Sequence, residues 1–226
     1  IAAGHNSTCA GAVSGRVYCW GDNRNGQLGQ GDNRPDIGGN QGDMTERLRA
    51  VQLPLNTRVS ELCMGQAHVC GLSDIGDVFC WGQNSRGQLG YDDRSTRGLT
   101  EETMASVSAL NLGQAAVQIS CGDLFSCARL ADGSIKCWGD SASGQIGQER
   151  AFPLGDDPGE MAALPAIELG AEGSAVDLAA GAKHVCVLLD DGRMKCWGQA
   201  AFGALGIPGN ENRGDGPNEM GDALEP

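Results

Sequence analysis

Ten cysteines are the residues most committed to chemistry in this 226-residue chain, and eight of them fall in pairs ten residues apart. The pairs are Cys9 with Cys19, Cys70 with Cys80, Cys127 with Cys137, and Cys186 with Cys196. Thiols at this density either hold a soft metal or oxidise to disulfides. No Cys-x-x-Cys spacing occurs and the pairs are far apart in the chain, which makes zinc the poorer reading. Just past the midpoint of each pair stands a glycine: Gly15, Gly76, Gly133 or Gly192. A three-residue hairpin loop needs left-handed backbone at its third position, and glycine supplies it. That register sets each cysteine directly opposite its mate, with Cα atoms about 4.5–5.5 Å apart, a distance a disulfide spans. Four hairpin disulfides are expected, and with them an oxidising setting: extracellular, cell-surface or periplasmic.

The other reactive side chains read as structural. His68 and His184 share one repeat position with Ser7 and Phe125, and a catalytic histidine would not be exchanged for phenylalanine in a sibling unit. His5 has no counterpart and reads as a loop residue. Asp215, Glu219 and Asp222 offer oxygen ligands for calcium. The preferred reading there is a capped helical turn, since G-D-G-P-N-E-M-G-D-A-L (214–224) resembles G-D-D-P-G-E-M-A-A-L (155–164) and, more loosely, G-D-M-T-E-R-L (42–48). The spacing is not that of an EF-hand loop, so no metal or other cofactor is assigned. Arg213-Gly214-Asp215 is an integrin-type tripeptide of the kind that recurs by chance. Serine-hydrolase, zinc-protease and phosphate-loop motifs are all absent, and the chain reads as a non-enzyme.

These residues are positioned by a repeat. Four segments align: CAGAVSGRVYCWGDNRNGQLG, CGLSDIGDVFCWGQNSRGQLG, CARLADGSIKCWGDSASGQIG and CVLLDDGRMKCWGQAAFGALG. Trp20, Trp81, Trp138 and Trp197 stand at steps of 61, 57 and 59, as do Gly4, Gly65, Gly122 and Gly181. Gly26, Gly87, Gly144 and Gly203 mark the G-Q-L-G turns, and Asn23 and Asn84 read as turn formers beside them. The hairpin units run 4–29, 65–90, 122–147 and 181–206 within one segment, 1–226. Short apolar strands 59–65, 117–122 and 176–181 precede the hairpins. A further strand per unit is expected at 50–54, 109–113 and 166–170. Four short strands per unit with glycine-rich turns is the sequence form of a propeller blade. Tryptophan recurring in every unit points to packing between blades.

The remaining cysteines sit on inner strands of consecutive units. Cys63 lies two residues before Gly65 and Cys121 one before Gly122, so their parity is opposite and they face opposite sides of their own sheets. Stacked blades meet with opposite faces, and they converge toward the propeller axis. A Cys63–Cys121 bridge between blades is therefore expected, with two buried thiols as the alternative.

The motif C-W-G-x-N-x-x-G-Q-L-G, preceded by G-x-x-H-x-C, resembles the regulator of chromosome condensation repeat. Trp81-Gly82, Asn84 and Gly87-Gln88-Leu89-Gly90 carry the match, with equivalents at 20–29, 138–147 and 197–206. The paired cysteines suggest a bacterial-type secreted branch. The resemblance implies an all-β propeller, usually of seven blades. Four repeats then form an arc, either of a longer chain or completed end to end by neighbouring copies, the first being preferred. The chain opens part-way along an inner strand and closes at A-L-E-P, and a signal peptide or anchor is expected upstream if present at all.

A net charge of −13 repels a phosphate backbone, and basic runs are absent, so nucleic acid is not the expected partner. No apolar run is long enough for a membrane span. The expected function is a disulfide-stabilised extracellular scaffold that presents its variable stretches, 30–49, 91–108, 148–165 and 207–226, to a protein partner. The alternatives are a self-assembling structural subunit and, by family analogy, a guanine-nucleotide exchange factor.

Overall fold

The computed structural model describes residues 1–171 and 173–225. The proline that ends A-L-E-P lies outside the described residues. Four antiparallel sheets follow one another along the chain. Blade 1 contains β1 (Ala2–Ala3), β2 (Ser7–Gly11), β3 (Val17–Asp22) and β4 (Asp36–Ile37) in that order. Blade 2 is β5 (Val59–Met64), β6 (His68–Ser73) and β7 (Val78–Gly82), followed by the short helix α1 (Glu101–Ala105). Blade 3 is β8 (Ala116–Cys121), β9 (Phe125–Leu130) and β10 (Ile135–Gly139), followed by α2 (Glu160–Ala163). Blade 4 is β11 (Ala175–Ala180), β12 (His184–Leu189) and β13 (Met194–Gly198). Inner strands stack in series, β1 on β5, β5 on β8 and β8 on β11, which makes the sheets blades of one propeller arc. No helix among the described residues is long and apolar enough to cross a membrane.

Turn chemistry sets the hairpin register as the glycine spacing requires. Leu130 donates to Ser134 O across a loop that ends in Gly133 at φ 83°. Ser73–Asp77 with Gly76 and Leu189–Arg193 with Gly192 repeat the arrangement. Cys9 and Cys19, Cys70 and Cys80, Cys127 and Cys137, and Cys186 and Cys196 are consequently register partners. All four pairs are bonded, at a Cα separation of 4.1 Å. Each inner strand of blades 2 to 4 carries a bulge at the same place, after Val59, Ala116 and Ala175.

Burial follows the stacking. Every residue of β6, in the middle of blade 2, is buried because a sheet covers each face. In β12 burial alternates, as it does when one face of a sheet lies open. A continuous core runs through blades 2, 3 and 4, and a second one joins blade 1 to blade 2.

The strands expected at 50–54, 109–113 and 166–170 do not form. Each segment keeps only one or two main-chain bonds to its blade: Val51 to Val17 O and Gln52 to Gly29 O, Leu110 to Val78 O, and Ile167 to Ile135 O. The reason is competition. Carbonyls in and beside these segments are taken by side chains: Arg49 O by Gln30, Ser108 O by the Tyr91 hydroxyl, Pro165 O by Gln148, and Leu169 O by Lys195. Pro54 and Pro165 also lack the N–H a ladder needs. The outer edge of each blade is held instead by a short pairing near the repeated Trp-Gly: Gly21 with Ile37, Gly82 with Arg97, Gly139 with Leu154, and Gly198 with Arg213.

Candidate functional site

The repeated side chains build the seats between blades. Trp81 Nε1 donates to Gln27 O at 3.0 Å, Trp138 to Gln88 O at 3.1 Å and Trp197 to Gln145 O at 3.1 Å. Each indole thus locks onto the G-x-x-G turn of the blade before it. Those turns hold glycine because their backbone is left-handed, and at the three internal junctions the loop of the next blade also occupies the space of a side chain. A Cβ on Gly26 would lie 2.8 Å from Arg97 O, one on Gly87 2.6 Å from Asp156 N, and one on Gly144 2.4 Å from Arg213 O. The variable loops are therefore anchored at their bases, through 97–99, 155–156 and 213–215, on the preceding blade.

At the two ends of the arc the seat is open. A Cβ on Gly203 or Gly206 of blade 4 would meet nothing within 4 Å. Trp20 of blade 1 is only partly buried, and with Gly21, Ile37 and Gly38 it lines a cleft of about 440 Å³. Blade 4 also lacks the polar ring of its siblings. Asn23 Oδ1 accepts from Leu28 N, and Asn84 Oδ1 from Leu89 N, whereas the equivalent of these residues in blade 4 is Ala200.

His68 is fully buried and packs its Nε2 3.0 Å from Ser126 Oγ of blade 3. Ser126 donates onward to Gln88 O, so it accepts from His68, and the imidazole is the Nε2–H tautomer. Burial pushes its pKa down to about 4. His184, on the open side of blade 4, is partly exposed. His5 lies 3.8 Å from Asp123 with more than half its side chain exposed. Two buried groups escaped sequence reasoning. Lys195 Nζ donates to Leu169 O and Gly221 O, each at 2.8 Å. Gln88 Nε2 has no partner, because Gln83 stands where Asp22 and Asp140 accept from Gln27 and Gln145 in blades 1 and 3.

The surroundings of Asp215, Glu219 and Asp222 favour the turn over a calcium site. Glu219 accepts from the Gly214 and Gly216 amides, Asp222 from the Ala171 amide, and Asp215 from Asn212, so the three carboxylates point to separate partners. They do not come within ligating distance of one another. In the sister segment Asp156, Asp157 and Glu160 do approach one another, but Glu160 already accepts from three consecutive amides, 155 to 157, and Asp156 is paired with Arg94. Main-chain N–H groups satisfy Glu219, Asp222 and Glu160, side chains satisfy Asp215 and Asp156, and each segment holds a short helical turn. Gly214 of the Arg-Gly-Asp tripeptide is buried against Gly144.

What remains accessible is the row of loop tips and the clefts between them. A cleft of about 740 Å³ opens between the loops of blades 3 and 4. Glu149, Glu168 and Asp222 line it. The amides of Met220 and Glu219 hold the Glu149 carboxyl below the usual range, so it stays anionic. The cleft therefore has an anionic lining.

The model of the regulator of chromosome condensation (RCC1) repeat matches residues 1–27, 59–88, 116–145 and 175–204, and a second model of the repeat matches 76–129. The ultraviolet-B receptor UVR8 of Arabidopsis thaliana is 27% identical over 211 residues, 93% of this chain and 43% of that protein. Among solved structures, human WBSCR16 superposes with TM-score 0.74 at 22% identity, over 93% of this chain and 51% of that one. Prp20p from Saccharomyces cerevisiae, described with its binding properties to Gsp1p and histones, gives TM-score 0.63 at 23% identity, over 90% and 44%. The chain thus spans about half, or less, of these relatives.

Proposed function

The chain belongs to the regulator of chromosome condensation repeat family, and on that premise we propose that it is a rigid scaffold whose loop tips bind a protein partner carrying basic side chains. The observation that carries the reading is the repeated seat. The loops of blades 2 to 4 are fixed at their bases on the preceding blade, while the loop tips are exposed and differ from one another. Preorganised loops on a stiff frame lose little entropy on binding. The net charge of −13 and the carboxylate-lined cleft support a basic protein surface rather than nucleic acid. Prp20p, on the same fold, is described as binding Gsp1p and histones, which supports a protein-binding use. Five disulfides and no free cysteine support an extracellular or cell-surface setting.

One exposed residue in each loop serves the test: Met44→Ser, Glu102→Ser, Phe152→Ser and Asn210→Ser combined. Immobilised protein is compared with this variant, and with a hairpin-tip control bearing Val13→Ser and Ile75→Ser, for capture of surface proteins of the source cell by quantitative mass spectrometry. The loop variant should recover its partner at least tenfold less, with thermal unfolding unchanged, while the control matches the parent. Equal recovery by the loop variant would overturn the reading.

The open seats favour a second reading, assembly with another copy. Blade 4 offers the vacant glycines Gly203 and Gly206, and blade 1 offers Trp20, Ile37 and Gly38, the counterparts of groups that mate at every internal junction. Light scattering during size-exclusion chromatography should show a mass that rises with concentration, and Trp20→Ala should return it to the monomer. A monomer at every concentration excludes this assembly.

A further inference from the structure

Four of the five disulfides close hairpins within a blade, and the fifth, Cys63–Cys121, ties β5 of blade 2 to β8 of blade 3 with Cα atoms 5.4 Å apart. Its two ends have different surroundings. Cys121 lines an open cleft of about 390 Å³ at the inner rim, among Gly65, Gly122 and Gly181. Cys63 does not line that cleft, and its sulfur lies within 4.8 Å of Cys70 Sγ. Blade 2 alone carries three cysteines in one row across its strands, because Cys63 is the register partner of Cys70, and Cys70 of Cys80. The equivalents of Cys63 in blades 3 and 4 are Ser120, opposite Cys127, and Ala179, opposite Cys186. Directly opposed cysteines bond in all four hairpins of this protein, so Cys63 and Cys70 have backbone positions suited to a bond of their own.

We propose that Cys121 is a thiolation site for low-molecular-weight thiols of the glutathione class, and that its modification moves the bridge of Cys63 from Cys121 to Cys70. The thiolate in the cleft attacks Cys121 Sγ. A new S–S bond forms to Cys121, the Cys63–Cys121 bond breaks, and the electron pair leaves on Cys63. The Cys63 thiolate then attacks Cys70 Sγ. The Cys63–Cys70 bond forms and the Cys70–Cys80 bond breaks. The pair leaves on Cys80, which is fully buried and takes up the proton released by the incoming thiol. Two disulfides and one thiol enter the sequence, and two disulfides and one thiol leave it, so no net oxidant or reductant is required. The outcome exchanges a covalent tie between blades for one within blade 2. The junction of blades 2 and 3 keeps its Trp138–Gln88 and His68–Ser126 contacts but loses its staple. The other two junctions carry no bridge at this level, where Ala2 and Met64, or Ser120 and Ala180, stand in equivalent places.

The test treats the intact protein with glutathione at graded concentrations near pH 8, quenches with acid, and maps every bridge by mass spectrometry without reductant. Glutathione should appear on Cys121 at least tenfold faster than on any hairpin cysteine, together with a Cys63–Cys70 bridge and a free thiol at Cys80. First adducts on Cys63, or equal rates at the hairpin pairs, overturn the proposal. Cys121→Ser isolates the second step: with no added thiol, mapping should find Cys63 bonded to Cys70 and Cys80 free. A free Cys63 beside an intact Cys70–Cys80 bridge overturns it equally.

Discussion

Gly144→Ala should lower the melting temperature by about 10 °C, while Gly203→Ala, the same substitution at the same repeat position, should lower it by only about 3 °C. Both glycines have positive φ, 78° and 73°, so both variants pay the left-handed backbone penalty of roughly 1 kcal/mol. Only Gly144 is seated. Its new Cβ would lie 2.4 Å from Arg213 O, 2.5 Å from Asp215 N and 2.6 Å from Gly214 C, all backbone atoms that cannot swing aside. At Gly203 a Cβ meets nothing within 4 Å. Overpacking costs typically 1–3 kcal/mol, which brings Gly144→Ala to roughly 2–4 kcal/mol. In a domain of this size each kcal/mol shifts the midpoint by about 2–4 °C. Differential scanning calorimetry of the two variants reads the difference. Equal shifts would mean that the junction of blades 3 and 4 gives way freely and that the loops are not anchored as described.

That comparison also marks what the sequence makes legible. The hairpins are written in local chemistry: a glycine at the third loop position fixes the register, the register pairs the cysteines, and nothing distant is needed. The Cys63–Cys121 bridge is legible for another reason. The repeat supplies equivalent positions, and equivalent positions supply the parity that decides which faces meet. Where the outcome depends on competition between partners, the residue types do not reveal the winner. The segments 50–54, 109–113 and 166–170 look like strands, yet their neighbourhood carbonyls go to Gln30, Tyr91, Gln148 and Lys195. Asp215, Glu219 and Asp222 look like ligands, yet two of them are occupied by main-chain amides that no sequence pattern displays as donors.

Acidification from pH 7 to pH 4 should cost the protein about 3 kcal/mol of stability through His68 alone. The imidazole is fully buried, and burial holds its folded pKa at about 4, against 6.5 for the free side chain. Between those values the unfolded chain binds a proton that the folded protein refuses, so stability rises with pH through the window and is lost as pH falls through it. A gap of about 2.5 units at 1.36 kcal/mol per unit gives the magnitude. The network explains why the folded state refuses the proton. Nε2–H is committed to Ser126, and Nδ1, the site that would be protonated, is buried without a hydrogen-bond partner. His68→Phe provides the comparison, because Phe125 fills the equivalent position of blade 3 with no exposed surface. Ser126 keeps its bond to Gln88 O in that variant. Urea unfolding at pH 7, 6, 5 and 4 should show the parent losing stability steadily through the series. His68→Phe should lose about 3 kcal/mol less over the same range, the remainder being due to other titrating groups. Parallel curves for the two proteins would place the acid sensitivity elsewhere, and would mean that His68 takes up its proton in the folded state.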